Sequence, residues 1–281
     1  RSKNVSQKPS VPIRLIALDL DGTLLRSDHT VGARSIAALR AAQAQGVEIV
    51  LASGRMTPAM EPTATALGLD VVLVSYNGAA VCGRVADGRE RMFHRPLQTD
   101  VAGELYAFAR QERLQINYYL DDVIVSEDGP HLRPWIDIYR DRTGSPYRFV
   151  ESLEGYLHRE PTKLLMVMEP TRREEVAEVW KAKLGARADV VKTDPEYLEF
   201  LAPGADKGAA ITYLARARGF GLDAVMAMGN GENDVPMLKR AGLSVAVSNA
   251  CGHCRDAAQH VTENDHDHDA VAEAVERWVL G

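Results

Sequence analysis

Asp19-Leu20-Asp21-Gly22-Thr23-Leu24-Leu25 is the stretch of this chain with the greatest capacity for chemistry. Two carboxylates stand two residues apart, directly after the apolar run at 13–18. A strand made from such a run ends in a buried place. Like charges there resist joint ionisation, and desolvation adds to the cost. A cation removes that cost, and carboxylate oxygens suit a hard one such as Mg²⁺. Gly22 allows a tight turn and brings backbone N–H groups close to a bound anion. The residues therefore describe a carboxylate pair, a metal and an anion pocket at the carboxyl end of a strand.

The surrounding pattern says what positions them. After the opening motif the spacing predicts a helix over 31–45 ended by Gly46, a strand over 47–51, a helix over 57–67 and a strand over 71–75. Ala52-Ser53-Gly54-Arg55 follows the second strand and Tyr76-Asn77-Gly78 the third. Strands alternating with helices at short spacing predict βαβ units and a parallel sheet. Ligands of such sheets bind beyond the carboxyl ends of the strands, where Asp19, Asp21, Ser53 and Asn77 all fall. Near Ala80 the texture changes. A hairpin signal at Asp87-Gly88, helices over 97–112, 130–142 and 171–184, and short strands over 116–120, 123–125, 163–168 and 189–192 predict an inserted α+β domain. The first rhythm then resumes: a strand at 198–201, a helix opened by Pro203-Gly204-Ala205-Asp206-Lys207-Gly208, a strand at 224–228, and Gly229-Asn230-Gly231-Glu232-Asn233-Asp234 before another helix. The expected organisation is a lead-in over 1–10, one domain made of 11–82 and 196–281, and an inserted domain over 83–195.

Bulk properties narrow the function. The chain has 281 residues, 46% hydrophobic and 26% charged, which is ordinary globular composition with length for two domains. A formal charge of −6 and no basic stripe argue against a nucleic-acid partner. An acidic protein that handles phosphate must supply positive charge locally. No apolar run approaches membrane-spanning length, and residues 1–10 lack the apolar core of a signal peptide. Three cysteines, an odd number, fit a reducing cytoplasm rather than a disulfide scaffold. Oligomeric state is left open.

The motifs in order resemble the haloacid dehalogenase superfamily of phosphohydrolases: Asp19-x-Asp21-Gly22-Thr23-Leu24-Leu25, Ser53 after the second strand, Lys207-Gly208-x-Ala210, and Gly229-x-Gly231-x-Asn233-Asp234. The insertion falls between the second and third motifs, where the Cof-like branch, subfamily IIB, carries an α/β cap. Asn77-Gly78, Leu198-Glu199 and Ser248-Asn249-Ala250 are similar to that branch too. The resemblance implies an α/β fold: a Rossmann-like core with a parallel sheet, plus an inserted cap hinged near 81–84 and 192–196. It implies Mg²⁺-dependent hydrolysis of a small phosphate monoester, such as a sugar phosphate, through an aspartyl phosphate. Asp19 matches the nucleophile and Asp21 the general acid and base. Gly22, Thr23, Ser53, Gly54, Asn77 and Asn233 would surround the phosphoryl group, and Lys207 would neutralise it and the nucleophile. Asp19, the Asp21 carbonyl, position 230 and Asp234 would form the metal site.

Position 230 departs from the family, which has Asp there as a direct ligand; this chain has Asn230. Three outcomes are open: Asn230 serves as a neutral ligand, Glu232 or Asp234 rotates in, or metal binding is impaired and the chain is a weakly active or non-catalytic phosphate binder. A phosphotransferase or mutase would carry the same motifs. Arg55 has two readings, a substrate contact or an ion pair with a carboxylate. Lys163 aligns with a cap position common in the branch, but reads as an exposed strand end. Cys251-Gly252-His253-Cys254 has the spacing of a redox dithiol but reads as incidental free thiols in this frame, and Asp265 to Asp269 as a solvated loop.

Overall fold

Leu15–Asp19 is buried along its whole length, as a continuous apolar run requires of a strand covered on both faces. It lies inside an eight-stranded sheet ordered His260–Val261, Leu243–Ala246, Val225–Gly229, Leu15–Asp19, Glu48–Ala52, Val72–Ser75, Ala80–Cys82 and Arg91–His94. The first six strands run parallel, and Ala80–Cys82 returns antiparallel. The structure, a computed structural model, describes residues 11–281, so the lead-in expected over 1–10 lies outside the described residues. The chain leaves Leu15–Asp19 toward one edge of the sheet and later returns to its other side with Val225–Gly229. That reversal is a topological switch point, where open α/β sheets bind ligands. The register pairs Leu18 with Met228, so the residues after Asp19 and after Gly229 emerge at one level. Helices Ala33–Ala44, Thr57–Leu67, Lys207–Ala217, Val235–Arg240, Gly252–Ala257 and Ala270–Val275 belong with this sheet.

The chain divides into two compact units, one of the described residues up to Phe93 with Asp206–Gly281, the other His94–Ala205. The second has its own six-stranded sheet, ordered Asp189–Lys192, Tyr197–Leu201, Lys163–Val167, Gln115–Leu120, Val123–Glu127 and Tyr147–Val150. Its strands pair antiparallel except the last two, which are parallel. Helices Thr99–Gln111, Arg133–Thr143 and Pro170–Leu184 complete it. Its core centres on Trp180, which meets Phe108 and Phe200 edge-on. An α/β fold with a parallel sheet and an inserted mixed unit is what the sequence pattern led us to expect.

Both joints fall later in the chain than 82/83 and 195/196. The hairpin after Val72–Ser75 extends the first sheet instead of opening the insertion. Tyr197–Leu201, read as the return to the first domain, is an inner strand of the second sheet. Its side chains are all buried, and an apolar run of that length fits the inside of either sheet.

Lys163 also differs from the expectation of an exposed strand end. Its side chain is 3% exposed and pairs with Glu199, 6% exposed, at 2.9 Å. The ammonium lies 4.9 Å from the centroid of the Tyr119 ring. Lys163 faces Leu201 across the ladder, so Glu199 is its diagonal neighbour on the same face of the sheet. Thr193 Oγ1 donates to Glu199 Oε1 at 3.2 Å. Lys163→Met strands a buried carboxylate and should cost about 3–5 kcal/mol in urea unfolding, while Lys163→Met with Glu199→Leu should regain most of it. Equal losses in the single and double variants would show that the pair is not what holds this face.

Candidate active site

Lys207 opens helix Lys207–Ala217, where a positive charge opposes the helix dipole. The side chain is nonetheless fully buried, and two carboxylates explain it. Lys207 Nζ donates to Asp19 Oδ1 and to Asp234 Oδ1, each at 2.6 Å. Asp19 ends the central strand and Asp234 follows the loop after Val225–Gly229, so the switch point delivers both. Burial, then the charge of Asp234, push the Asp19 carboxyl up to about 7 against the pull of Lys207. On Lys207 burial works against the charge, but Asp19 and Asp234 outweigh it and hold the ammonium above its ordinary value. The helix start comes this close because of Gly78. It sits at φ +103°, and a Cβ there would lie 2.3 Å from the Asp206 carbonyl oxygen.

Asp234 is used up in this arrangement. Its Oδ2 accepts from the backbone N–H groups of Asn230 and Gly231, both at 2.9 Å. Asp19 differs: beyond the Lys207 contact, its second oxygen accepts no hydrogen bond from the described residues. Glu232, whose side chain is 76% exposed, pairs with His253 at 2.9 Å and faces away. Neither Glu232 nor Asp234 is placed to stand in at position 230.

Asn230 itself is held from two sides. Thr23 Oγ1 donates to Asn230 Oδ1 at 3.1 Å, so the Thr23 hydroxyl, expected to point at a phosphoryl group, is turned to the amide. Gly22, at φ +76°, passes so close that a Cβ would lie 2.5 Å from Asn230 Nδ2. Asn249 Nδ2 fixes the same turn by donating to the Gly22 carbonyl at 2.8 Å. Asn249 was legible only as part of Ser248-Asn249-Ala250.

On the neighbouring strand ends, Ser53 and Asn77 are buried. Ser53 Oγ accepts from the Arg55 N–H at 3.2 Å, and Asn77 N–H donates to the Ser53 carbonyl at 3.0 Å. Asn77 adopts φ +56°, a region Asn tolerates better than most residues. Its Oδ1 accepts from Asn233 Nδ2 at 3.0 Å, and Gly54 lies against the same amide. Asn77 Nδ2 is buried with no hydrogen-bond partner among the described residues. An unpaired buried donor of this kind points to a missing acceptor.

Asp21 stands apart from the buried cluster. Its side chain is 52% exposed, and Arg55 grips both oxygens, at 2.9 and 2.5 Å. That settles Arg55 as the partner of a carboxylate. Cys254 is buried, and burial pushes its thiol up to about 12, the reverse of an activated dithiol. The Asp265 to Asp269 segment is more than a solvated loop. Asp267 accepts from Ser27 N–H and Oγ, both at 2.7 Å, and Asp269 from Arg26 and Ser35 at 2.9 and 3.1 Å.

The donors at the Asp19 edge bear on a metal. Among the described residues no three His, Cys, Asp or Glu side chains gather into a cage. What remains is oxygen only: the open Asp19 oxygen, the Asp21 carbonyl and Asn230 Oδ1. Two buried carboxylates against one ammonium leave a negative charge uncompensated. Few oxygen ligands and one surplus charge fit Mg²⁺, which keeps several waters and takes one or two carboxylates.

A family model described as haloacid dehalogenase-like hydrolase matches residues 16–275. A haloacid dehalogenase-like hydrolase of known structure from Bacteroides thetaiotaomicron is 32% identical with a TM-score of 0.84, covering 94% of this chain and 99% of its own. The 5-amino-6-(5-phospho-D-ribitylamino)uracil phosphatase YcsE of Bacillus subtilis is 28% identical over 98% of this chain and 99% of itself. The chloroplastic endoribonuclease YBEY of Arabidopsis thaliana is 30% identical over 94% of this chain, but the chain spans only 46% of that protein. Its name thus describes a protein more than half of which has no counterpart here. The match runs through the strand that ends at Asp19, the Lys207 helix and the loop of Asp234, and on it this chain belongs to the haloacid dehalogenase-like hydrolases, as a Cof-like member.

Proposed function

We propose that this phosphoric monoester hydrolase is a Mg²⁺-dependent phosphatase of a small phosphorylated metabolite that works through an aspartyl phosphate on Asp19. The observation that carries the reading is the shared ammonium. Lys207 Nζ holds Asp19 Oδ1 at 2.6 Å and fixes the carboxylate with its other oxygen open. A buried carboxylate so oriented is a nucleophile whose attack splits one difficult displacement into two easier ones. Phosphatase activity in YcsE, alike over nearly its whole length, supports the same reading.

In the first step the open Asp19 oxygen bonds to phosphorus, the bond to the ester oxygen breaks, and the leaving alkoxide takes a proton from Asp21. In the second, Asp21 takes a proton from water as the water oxygen attacks phosphorus, and the bond to Asp19 breaks. Inorganic phosphate leaves and Asp19 is restored. Before the first step Arg55 must loosen one of its two contacts and Asp21 must take up a proton from solvent; the second step returns a proton to Asp21. Lys207 keeps its charge beside the transferring group throughout. Asn77 Nδ2 and the Ser53 hydroxyl donate to phosphoryl oxygens, with Asn233 holding the Asn77 amide in that sense. Asp19, the Asp21 carbonyl and Asn230 would hold Mg²⁺, which when bound would neutralise phosphoryl charge. Thr23 serves the site through Asn230. The proposed compartment is the cytoplasm, in keeping with three free cysteines. No helix among the described residues is long and apolar enough to cross a membrane.

A screen of phosphorylated metabolites with Mg²⁺ should find at least one that releases inorganic phosphate; binding without turnover of any would refute the reading. Asp19→Asn should lower turnover about 10³–10⁵-fold, the scale of losing a nucleophile, with unchanged thermal unfolding. Residual full activity would remove Asp19 from that role. Asn77→Ala removes a hydrogen bond to a charged oxygen, so competitive inhibition by inorganic phosphate should weaken about tenfold or more. Unaltered inhibition would place the phosphoryl group elsewhere.

A further inference from the structure

The loop after Val225–Gly229 gives the site an unusual charge balance. Asp19 and Asp234 are both buried and share the single ammonium of Lys207. Asp21 is neutralised by Arg55, and Glu232 is paired with His253 near solvent. Asn230 adds an amide oxygen and no charge. With both carboxylates ionised, as a bound cation requires, the buried group carries one net negative charge, and a divalent cation turns it to one net positive charge. A carboxylate at position 230 would instead leave the loaded site neutral. Substitution by another group is blocked, because both Asp234 oxygens are engaged, one by Lys207 and one by two backbone N–H groups. The amide is also kept in a ligating pose. Thr23 donates to Oδ1, which has a second lone pair, while Gly22 crowds Nδ2.

Resting on the reading of this edge as a phosphatase centre, we propose that Asn230 makes the metal and the phosphate mutually dependent ligands. Each binds weakly alone. The cation lacks a second anionic donor until a phosphate oxyanion supplies one, and the oxyanion meets a net negative site until the cation reverses its sign. The charge that Asn230 omits is provided by the substrate. Coupling between two ligands is reciprocal, so the factor by which phosphate tightens the cation equals the factor by which the cation tightens phosphate. The practical consequence is a site that stays largely metal-free without substrate and assembles when a phosphorylated ligand arrives.

The test is calorimetric titration of free Mg²⁺ into the intact protein, with and without saturating inorganic phosphate, for the natural chain and for Asn230→Asp. In the natural chain phosphate should tighten Mg²⁺ about tenfold or more, within the usual range of coupling between sites. In Asn230→Asp, Mg²⁺ alone should bind tighter than in the natural chain, and the phosphate effect should shrink several-fold. Equal Mg²⁺ affinity with and without phosphate in the natural chain overturns the proposal by itself, whether or not the variant folds. An undiminished phosphate effect in a folded Asn230→Asp overturns it as well. Release of phosphate from a monoester by the same preparation tests the phosphatase reading separately, so failure of one is distinct from failure of the other.

Discussion

Everything at the sheet edge depends on one ammonium group buried between two carboxylates. Taking three charges out of water costs several kcal/mol per ion, and only close contacts return that cost. The two 2.6 Å bonds of Lys207 supply them. The requirement reaches outward through the fold. Asp19 must sit at the end of a strand buried on both faces, Asp234 must be turned in by backbone donors at Asn230 and Gly231, and the Lys207 helix must start within reach. The last condition fixes Gly78, since any side chain there would meet the backbone of Asp206. One interaction thereby dictates a residue more than a hundred positions away in sequence.

The core and its edge were largely legible in the chain. Apolar runs ended by polar residues marked the parallel strands, and the motif residues fell at their carboxyl ends. Asp19, Lys207 and Asp234 meet, and Asn77, Gly54 and Asn233 meet beside them. The pairwise contacts were less legible, because they depend on which of several partners a side chain reaches. Thr23 could serve a phosphoryl oxygen or an amide, and the approach of the Asn230 loop to the Gly22 turn decides for the amide. Arg55 could serve substrate or carboxylate, and Asp21 lies within its fork.

The inserted unit was harder to read for a different reason. Tyr197–Leu201 is apolar apart from Glu199, and such a run does not say which of two sheets it enters. Its one charge held the answer. Glu199 is buried together with Lys163 on the adjacent strand, and each charge looks exposed until their pairing is known. Non-local pairing of opposite charges leaves no local signature, whereas hydrophobic periodicity does. Hence the parallel sheet and most strands of the inserted one emerged from pattern, while the sheet that Tyr197–Leu201 joins did not.

The same logic applies to the residue that breaks the motif. Read alone, an amide where a carboxylate is expected looks like damage to a metal site. In place, Asn230 has its oxygen addressed by Thr23 and its nitrogen enclosed by the Gly22 turn, while its backbone N–H helps to hold Asp234. A position abandoned by function would not need its side chain located from two sides. A carboxylate there would add a second uncompensated charge beside Asp19, whose carboxyl burial already pushes up to about 7. Asn230 keeps the oxygen and removes the repulsion, so the substitution moves charge out of the protein without dismantling the geometry around it.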